Sequence, residues 1–155
     1  MDTFWWDSNA FIQPWRMRYP IEVFPGLWEQ TDGLIQLGRI KSVLEVYREI
    51  RKQQDELYRW VKPRKYMFVP EDVELSEAVV EILSIPRFGR MVEEGRNGAD
   101  PWVIAAARVH GGIVVCDEGH SRNPLKKPKM PDVCDHFGVP IITHLEFIRR
   151  TGWRF

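Results

Sequence analysis

The sequence predicts an α/β fold, a sandwich in which helices cover a mostly parallel sheet. Three observations carry this. Short apolar runs at Thr3–Trp6, Ile113–Cys116 and Val139–Thr143 read as buried strands. Segments with helical periodicity lie between them. Glycine and proline punctuate the joins. The 155 residues suit one domain, and 44% hydrophobic with 12% aromatic residues is enough for a real core.

Thr3–Trp6 ends in Asp7, which places an acid at a strand's carboxyl end. Pro14 to Pro25 is rich in aromatics and prolines and reads as irregular. A helix is expected from Pro25 to Leu37, with Leu27, Thr31, Leu34 and Ile35 near one face and Gly38 as its stop. Ser42 with Glu45 three residues on predicts a capping box for the next helix. Val43, Val46, Tyr47 and Ile50 form that helix's buried stripe. Asp55–Val61 reads as a helix halted before Pro63, and Lys65–Val69 as a short strand. Leu75–Leu83 and Phe88–Glu94 read as helices separated by Pro86, with a turn at Asn97-Gly98. Pro101–His110 is a helix with small alanines that permit close approach to a sheet, ended by Gly111-Gly112. Asp117–Met130 is a polar, basic loop; Pro131–Phe137 is a short helix stopped by Gly138; His144–Arg150 closes the chain.

Lys+Arg and Asp+Glu both number 22, so no global charge directs the chain to nucleic acid or membrane. Cys116 and Cys134 flank apolar residues and read as reduced thiols of a cytoplasmic protein. The start, MDTFWWDSN, lacks the basic and apolar regions of a signal peptide, and no apolar run reaches membrane-spanning length.

In parallel sheets ligands bind beyond the carboxyl ends of strands. Asp7, Asp100 and Glu118 are expected near one edge. At about 100° per residue, Glu49 lies at the margin of its helix's buried stripe and can look into a cleft, whereas Glu45 points to water or closes the capping box. Carboxylates sharing a site repel one another, and a hard divalent cation such as Mg²⁺ or Mn²⁺ relieves that. Such an ion lowers the pKa of water for attack on phosphorus and neutralises transition-state charge.

Four segments in order, FWWDSNAFI, SVLEVYREI, GADPWVIAAARVHG and IVVCDEGH, resemble the PIN-domain superfamily of metal-dependent nucleases. With KKPKMPDVCDHFGV they resemble more closely a PIN-like family of bacteria and archaea without an assigned function. The resemblance implies a three-layer α/β/α sandwich. It implies Asp7, Glu49, Asp100 and Glu118 as catalytic, metal-holding acids, with Mg²⁺ or Mn²⁺ as cofactor. It further implies an endoribonuclease that cleaves RNA with a metal-activated water, leaving a 5′-phosphate and a 3′-hydroxyl. The associated setting is a toxin–antitoxin pair, with an antitoxin or a second copy as protein partner. Two departures stand out: Cys116 replaces a usual Thr, and Glu118 a commoner Asp.

Each residue also has a plainer reading. Asp100 before Pro101 is a good helix cap. Asp7-Ser8-Asn9 is turn chemistry, with Asn9 open between a cap and a bond to a ligand water or phosphate. Asp117 points to the opposite face from Glu118 if the strand continues, and Asp132 suits a helix start. Asn9, Asp117 and Asp132 are therefore candidates for support of the site rather than for direct ligation. Arg122, Lys126, Lys127 and Lys129 form either a solubilising loop or a phosphate-binding arm. Arg16 and Arg18, interleaved with Trp15 and Tyr19, suit either nucleotide stacking or scaffold. Trp5 and Trp6 read as core. Zinc held by Cys116, His120, Cys134 and His136 fits poorly, since positions 134 and 136 lie roughly 200° apart on a helix. A catalytically silent binding protein and a DNA nuclease on the same acids are the rival functions.

Overall fold

The computed structural model describes residues 2–90, 92, 98–125 and 127–155. Five parallel strands form one sheet in the order β3-β2-β1-β4-β5. They are β1 (Phe4–Trp6), β2 (Ile40–Val43), β3 (Phe68–Val69), β4 (Ile113–Val115) and β5 (Ile141–Ile142). The helices used below are α1 (Ser8–Gln13), α2 (Pro25–Gln36), α3 (Leu44–Arg51), α4 (Glu56–Val61), α5 (Val73–Leu83), α6 (Pro86–Gly89), α7 (Asp100–His110), α8 (Met130–Phe137) and α9 (His144–Thr151).

The central strand shows why the layers form. All three residues of β1 are buried, as expected of a parallel strand covered on both faces. Alternation sends Phe4 and Trp6 to one face and Trp5 to the other. Phe4 and Trp6 meet Phe147 of α9, with ring centroids 4.9 and 5.2 Å away, and Trp6 also meets Phe11 of α1. Trp5 stacks on His110 of α7 and donates its indole N–H to the Gly111 carbonyl at 2.9 Å. The result is the expected three-layer α/β sandwich.

Gly112 makes this junction possible. Its φ of +125° is open to glycine and not to L side chains, and a Cβ there would run into the Thr3 carbonyl and the Trp5 indole. Gly112→Ala should therefore destabilise by about 3 kcal/mol, read from denaturant unfolding. An unchanged midpoint would refute the tight junction.

Several expectations are corrected. Ser42 caps nothing. It lies in β2, a strand the sequence reading lacked, and its hydroxyl donates to the Trp6 carbonyl at 2.6 Å. Val43 is the residue before α3, so Ser42 and Glu45 form no capping box. Val46, Tyr47 and Ile50 of the expected stripe are buried on α3, while Val43, also buried, ends β2 instead of belonging to the helix. Pro14–Arg18, expected to be irregular, is a wide helical turn in which Tyr19 N–H reaches the Pro14 carbonyl. Pro86 starts α6 rather than separating helices, as the first turn needs no proline N–H. Most of the expected Phe88–Glu94 helix beyond α6, and Asn97, lie outside the described residues. Of 65–69 and 139–143 only the two-residue strands β3 and β5 pair in the sheet. The expected C-terminal helix is α9, and Thr143 with Glu146 supplies the capping box that starts it. No helix among the described residues is long and apolar enough to cross a membrane.

Candidate functional site

The strand order reverses at β1, since β2 and β3 lie on one side of it and β4 and β5 on the other. The crevice between the carboxyl ends of β1 and β4 is therefore the switch point where ligands bind in open parallel sheets. Trp6 lies opposite Val115, so the residues that follow, Asp7 and Cys116, emerge side by side.

Asp7 directly follows β1 and is 3% exposed. Its backbone N–H bonds the Val115 carbonyl at 3.0 Å, and its side chain makes no capping bond to α1. Oδ1 is buried and has no hydrogen-bond partner. Burial pushes this carboxyl up to about 7, with the charges of Glu49 and Glu118 adding and bonds from Ser8 and Cys116 opposing.

Asp100 is 6% exposed and is the first residue of α7. The position before it, Ala99, is already helical, and no side-chain bond caps the helix. The expected cap is therefore not formed: Asp100 lies inside the first turn of α7. Burial holds the Asp100 carboxyl well above its usual range, and the charges of Asp7, Glu118 and Glu49 push it further.

Glu49 and Glu118 complete the cluster from its flanks. Glu49 Oε1 accepts the Ala99 N–H at 3.4 Å, which ties α3 to the start of α7. Glu118 Oε2 accepts the Met130 N–H at 3.5 Å at the start of α8. All four acids from the sequence reading thus meet in one electrostatic neighbourhood.

The supporting candidates sort differently. Asn9 accepts the Asp117 backbone N–H at 3.0 Å and donates to Cys116 Sγ at 3.6 Å. Asp117 turns away from the cluster, its side chain only 3% exposed. It accepts Arg18 at 2.7 Å and the His144 N–H at 2.8 Å, which braces the start of α9. Asp132 Oδ2 accepts the N–H groups of Lys129 and Ser121 and staples the loop before α8. Burial pushes the Cys116 thiol strongly up, so it stays protonated.

Of the expected nucleic-acid contacts, Arg16 is engaged by Asp55 at 2.6 Å and Arg18 by Asp117. Trp15 is buried against Trp28 and Trp60 and offers no stacking surface. Arg122, Lys127 and Lys129 are exposed on the loop that joins Glu118 to α8, while Lys126 lies outside the described residues. Both cysteines are buried and free; His120 pairs with Asp135 and His136 packs on Phe88.

Two buried groups escaped the sequence reading. Glu45, expected to face water, is instead enclosed next to Glu71, and its oxygens are buried without an ordinary donor. Burial and the Glu71 carboxylate raise it to about 7, while Arg48 pairs with Glu71 and stands 3.7 Å from Glu45. Helix spacing locates Glu45 on the outer side of α3 but cannot foresee that the segment before α5 covers it. Glu45→Gln should stabilise the protein at pH 8 and change little at pH 4, where the glutamate already holds its proton. Equal unfolding midpoints at pH 8 would contradict this. His144 is fully buried among Trp6, Tyr19 and Phe147, with neither ring nitrogen bonded. Burial lowers it to about 4, so it is neutral.

The fold and site together define a three-layer parallel α/β protein with buried acids at its switch point. The family model described as a domain of unknown function, DUF4411, matches residues 4–155, and the chain belongs to that family. A search of curated proteins gives no match.

Proposed function

We propose that this protein is a Mg²⁺- or Mn²⁺-dependent endoribonuclease whose site is the acid cluster of Asp7, Glu49, Asp100 and Glu118. The observation that carries the reading is the frustration of that cluster. Two carboxyls are buried where ligands bind in such sheets, both are raised by burial and by the charges of Glu49 and Glu118, Asp7 raises Asp100 further, and Asp7 Oδ1 has no partner. A bare, buried acceptor amid like charges fits a cation better than a packing role.

Asp7 and Asp100 are the residues that would hold the ion, with Glu49 and Glu118 at its margin. A bound ion of this kind supplies charge neutralisation and water of lowered pKa for phosphodiester hydrolysis. The chain's own residues do the rest. Cys116, itself bonded by Asn9, holds Asp7, the Ala99 and Met130 N–H groups hold Glu49 and Glu118, and the exposed Arg122, Lys127 and Lys129 attract phosphates beside Glu118. RNA is the substrate on this reading. The toxin setting goes with it, and an antitoxin covering the acidic edge would hold the activity in check.

The test incubates the purified protein with mixed RNA and with DNA, each with Mn²⁺ or with a chelator. Manganese-dependent cleavage of RNA leaving 5′-phosphates is expected. Faster cleavage of DNA would reassign the substrate, and cleavage in chelator would overturn the metal reading.

One observation favours a second reading, a binding protein that keeps its acids without turnover. Among the described residues no group of three or more His, Cys, Asp or Glu side chains is close enough to hold an ion as it stands. Mg²⁺ often takes only one or two direct carboxylates and keeps several waters, so the arrangement suits water-bridged binding. Titration calorimetry with Mn²⁺ separates the readings: no heat of binding supports the silent protein.

A further inference from the structure

We infer that Cys116 is a positioning residue, whose thiol, oriented by Asn9, fixes Asp7 so that one carboxylate oxygen is left facing the acid cluster. The inference rests on reading that cluster as a cation site. One group sets the direction of every bond in the chain. The Asp117 backbone N–H can only donate, and it lies 3.0 Å from the Asn9 side chain. The amide oxygen of Asn9 therefore faces it, and the amide nitrogen turns to Cys116 Sγ at 3.6 Å. Sulfur accepts from Asn9, so its single S–H is left to donate to Asp7 Oδ2 at 3.7 Å.

The other oxygen, Asp7 Oδ1, has no partner. The terminal torsion of an aspartate is broad, and an unanchored carboxylate would present either oxygen. The thiol removes that freedom. The plain alternative is that Cys116 packs as a small hydrophobe. A hydrophobe there would strand Asp7 Oδ2 in a buried place and leave the half-buried Asn9 Nδ2 without this partner, which is costly. The parallel register of β1 and β4 puts the two side chains together, and the Asn9 amide carries the link to the turn after β4.

The test compares wild type, Cys116→Ala, which removes the donor, and Cys116→Ser, which restores one. Mn²⁺ affinity is measured by calorimetry, and thermal unfolding and circular dichroism confirm that each variant is folded. Cys116→Ala should bind about tenfold more weakly while Cys116→Ser stays close to wild type. A second readout needs no ion. In the infrared the Cys116 S–H stretch, assigned by its loss in Cys116→Ser, should lie below that of Cys134 and rise in Asp7→Ala. Equal Mn²⁺ affinity of wild type and Cys116→Ala, or an S–H band unmoved by Asp7→Ala, overturns the positioning role and leaves the cation reading intact. Absence of Mn²⁺ binding by wild type overturns both, and the two failures are thereby distinct.

Discussion

Asp100→Asn is expected to lower Mn²⁺-dependent RNA cleavage by about a hundredfold or more, and to make the metal-free protein more stable. The two effects have one cause. Asp100 sits buried beside Asp7, with Glu49 and Glu118 close by. Removing its charge removes an ion-holding group, and a site that loses its ion loses several kcal/mol of transition-state stabilisation. The same change relieves like-charge repulsion and desolvation in the free protein, by about 1 kcal/mol or more. Asp7→Asn should behave alike. The checks are initial cleavage rates and urea unfolding in chelator. A variant that loses activity because it is poorly folded would show the opposite change in stability, so the pair of signs is diagnostic. Full activity with either substitution would refute the site.

Raising the pH from 6.5 to 8.5 in chelator should lower stability by about 1 kcal/mol or more, and Mn²⁺ should restore it. The sign follows from the raised carboxyls. An unfolded aspartate titrates near 3.8, whereas Asp7 in the folded chain titrates at about 7. The folded form therefore holds a proton that the unfolded form has lost. The stability this contributes is complete below the unfolded value and is lost as the pH rises through about 7. For a single group with that shift the whole loss is about 4 kcal/mol, of which about 1 kcal/mol falls between pH 6.5 and 8.5. Asp100 and Glu45 are shifted in the same direction.

His144 works the other way, because burial lowers it to about 4. Its contribution is present above the unfolded value of 6.5 and is lost as the pH falls towards 4. It is neutral in both states once the pH is well above 6.5, so through most of the chosen window the acids set the trend. Thermal unfolding followed across that window, with and without Mn²⁺, reads the effect. Stability that is flat or rising with pH in chelator would show that the acids are not buried together.

Much of this was legible in the chain. Helix α7 was readable because Pro101 and Gly111 bound an alanine-rich run with a buried face. β1 was readable because a central parallel strand must be apolar on both sides. Strand β2 was not, because Ile40–Val43 is short and mixed and passes into α3 without a loop. Its Ser42 looks like a cap until the Trp6 carbonyl is seen to take its hydroxyl. Arg16 and Arg18 looked like phosphate ligands, but each pairs with an acid 39 or 99 residues away in the chain. No local pattern carries information at that separation.

The sequence by itself determined the alternation of strands and helices, the order of the four acids, and the stripe edge that lets Glu49 enter a cleft. These follow from residue periodicity and from the rule that ligands gather at strand ends, both of which act locally. Tertiary structure alone decided which acids meet and which turn away. Asp117 and Glu118 are neighbours in the chain, yet Asp117 braces α9 and Glu118 joins the cluster. Asp100 has the sequence of a cap, yet it caps nothing and lies buried among like charges. Burial, like-charge repulsion and a bare carboxylate oxygen are properties of an assembled crevice, set by how the strands and helices pack rather than by any one segment.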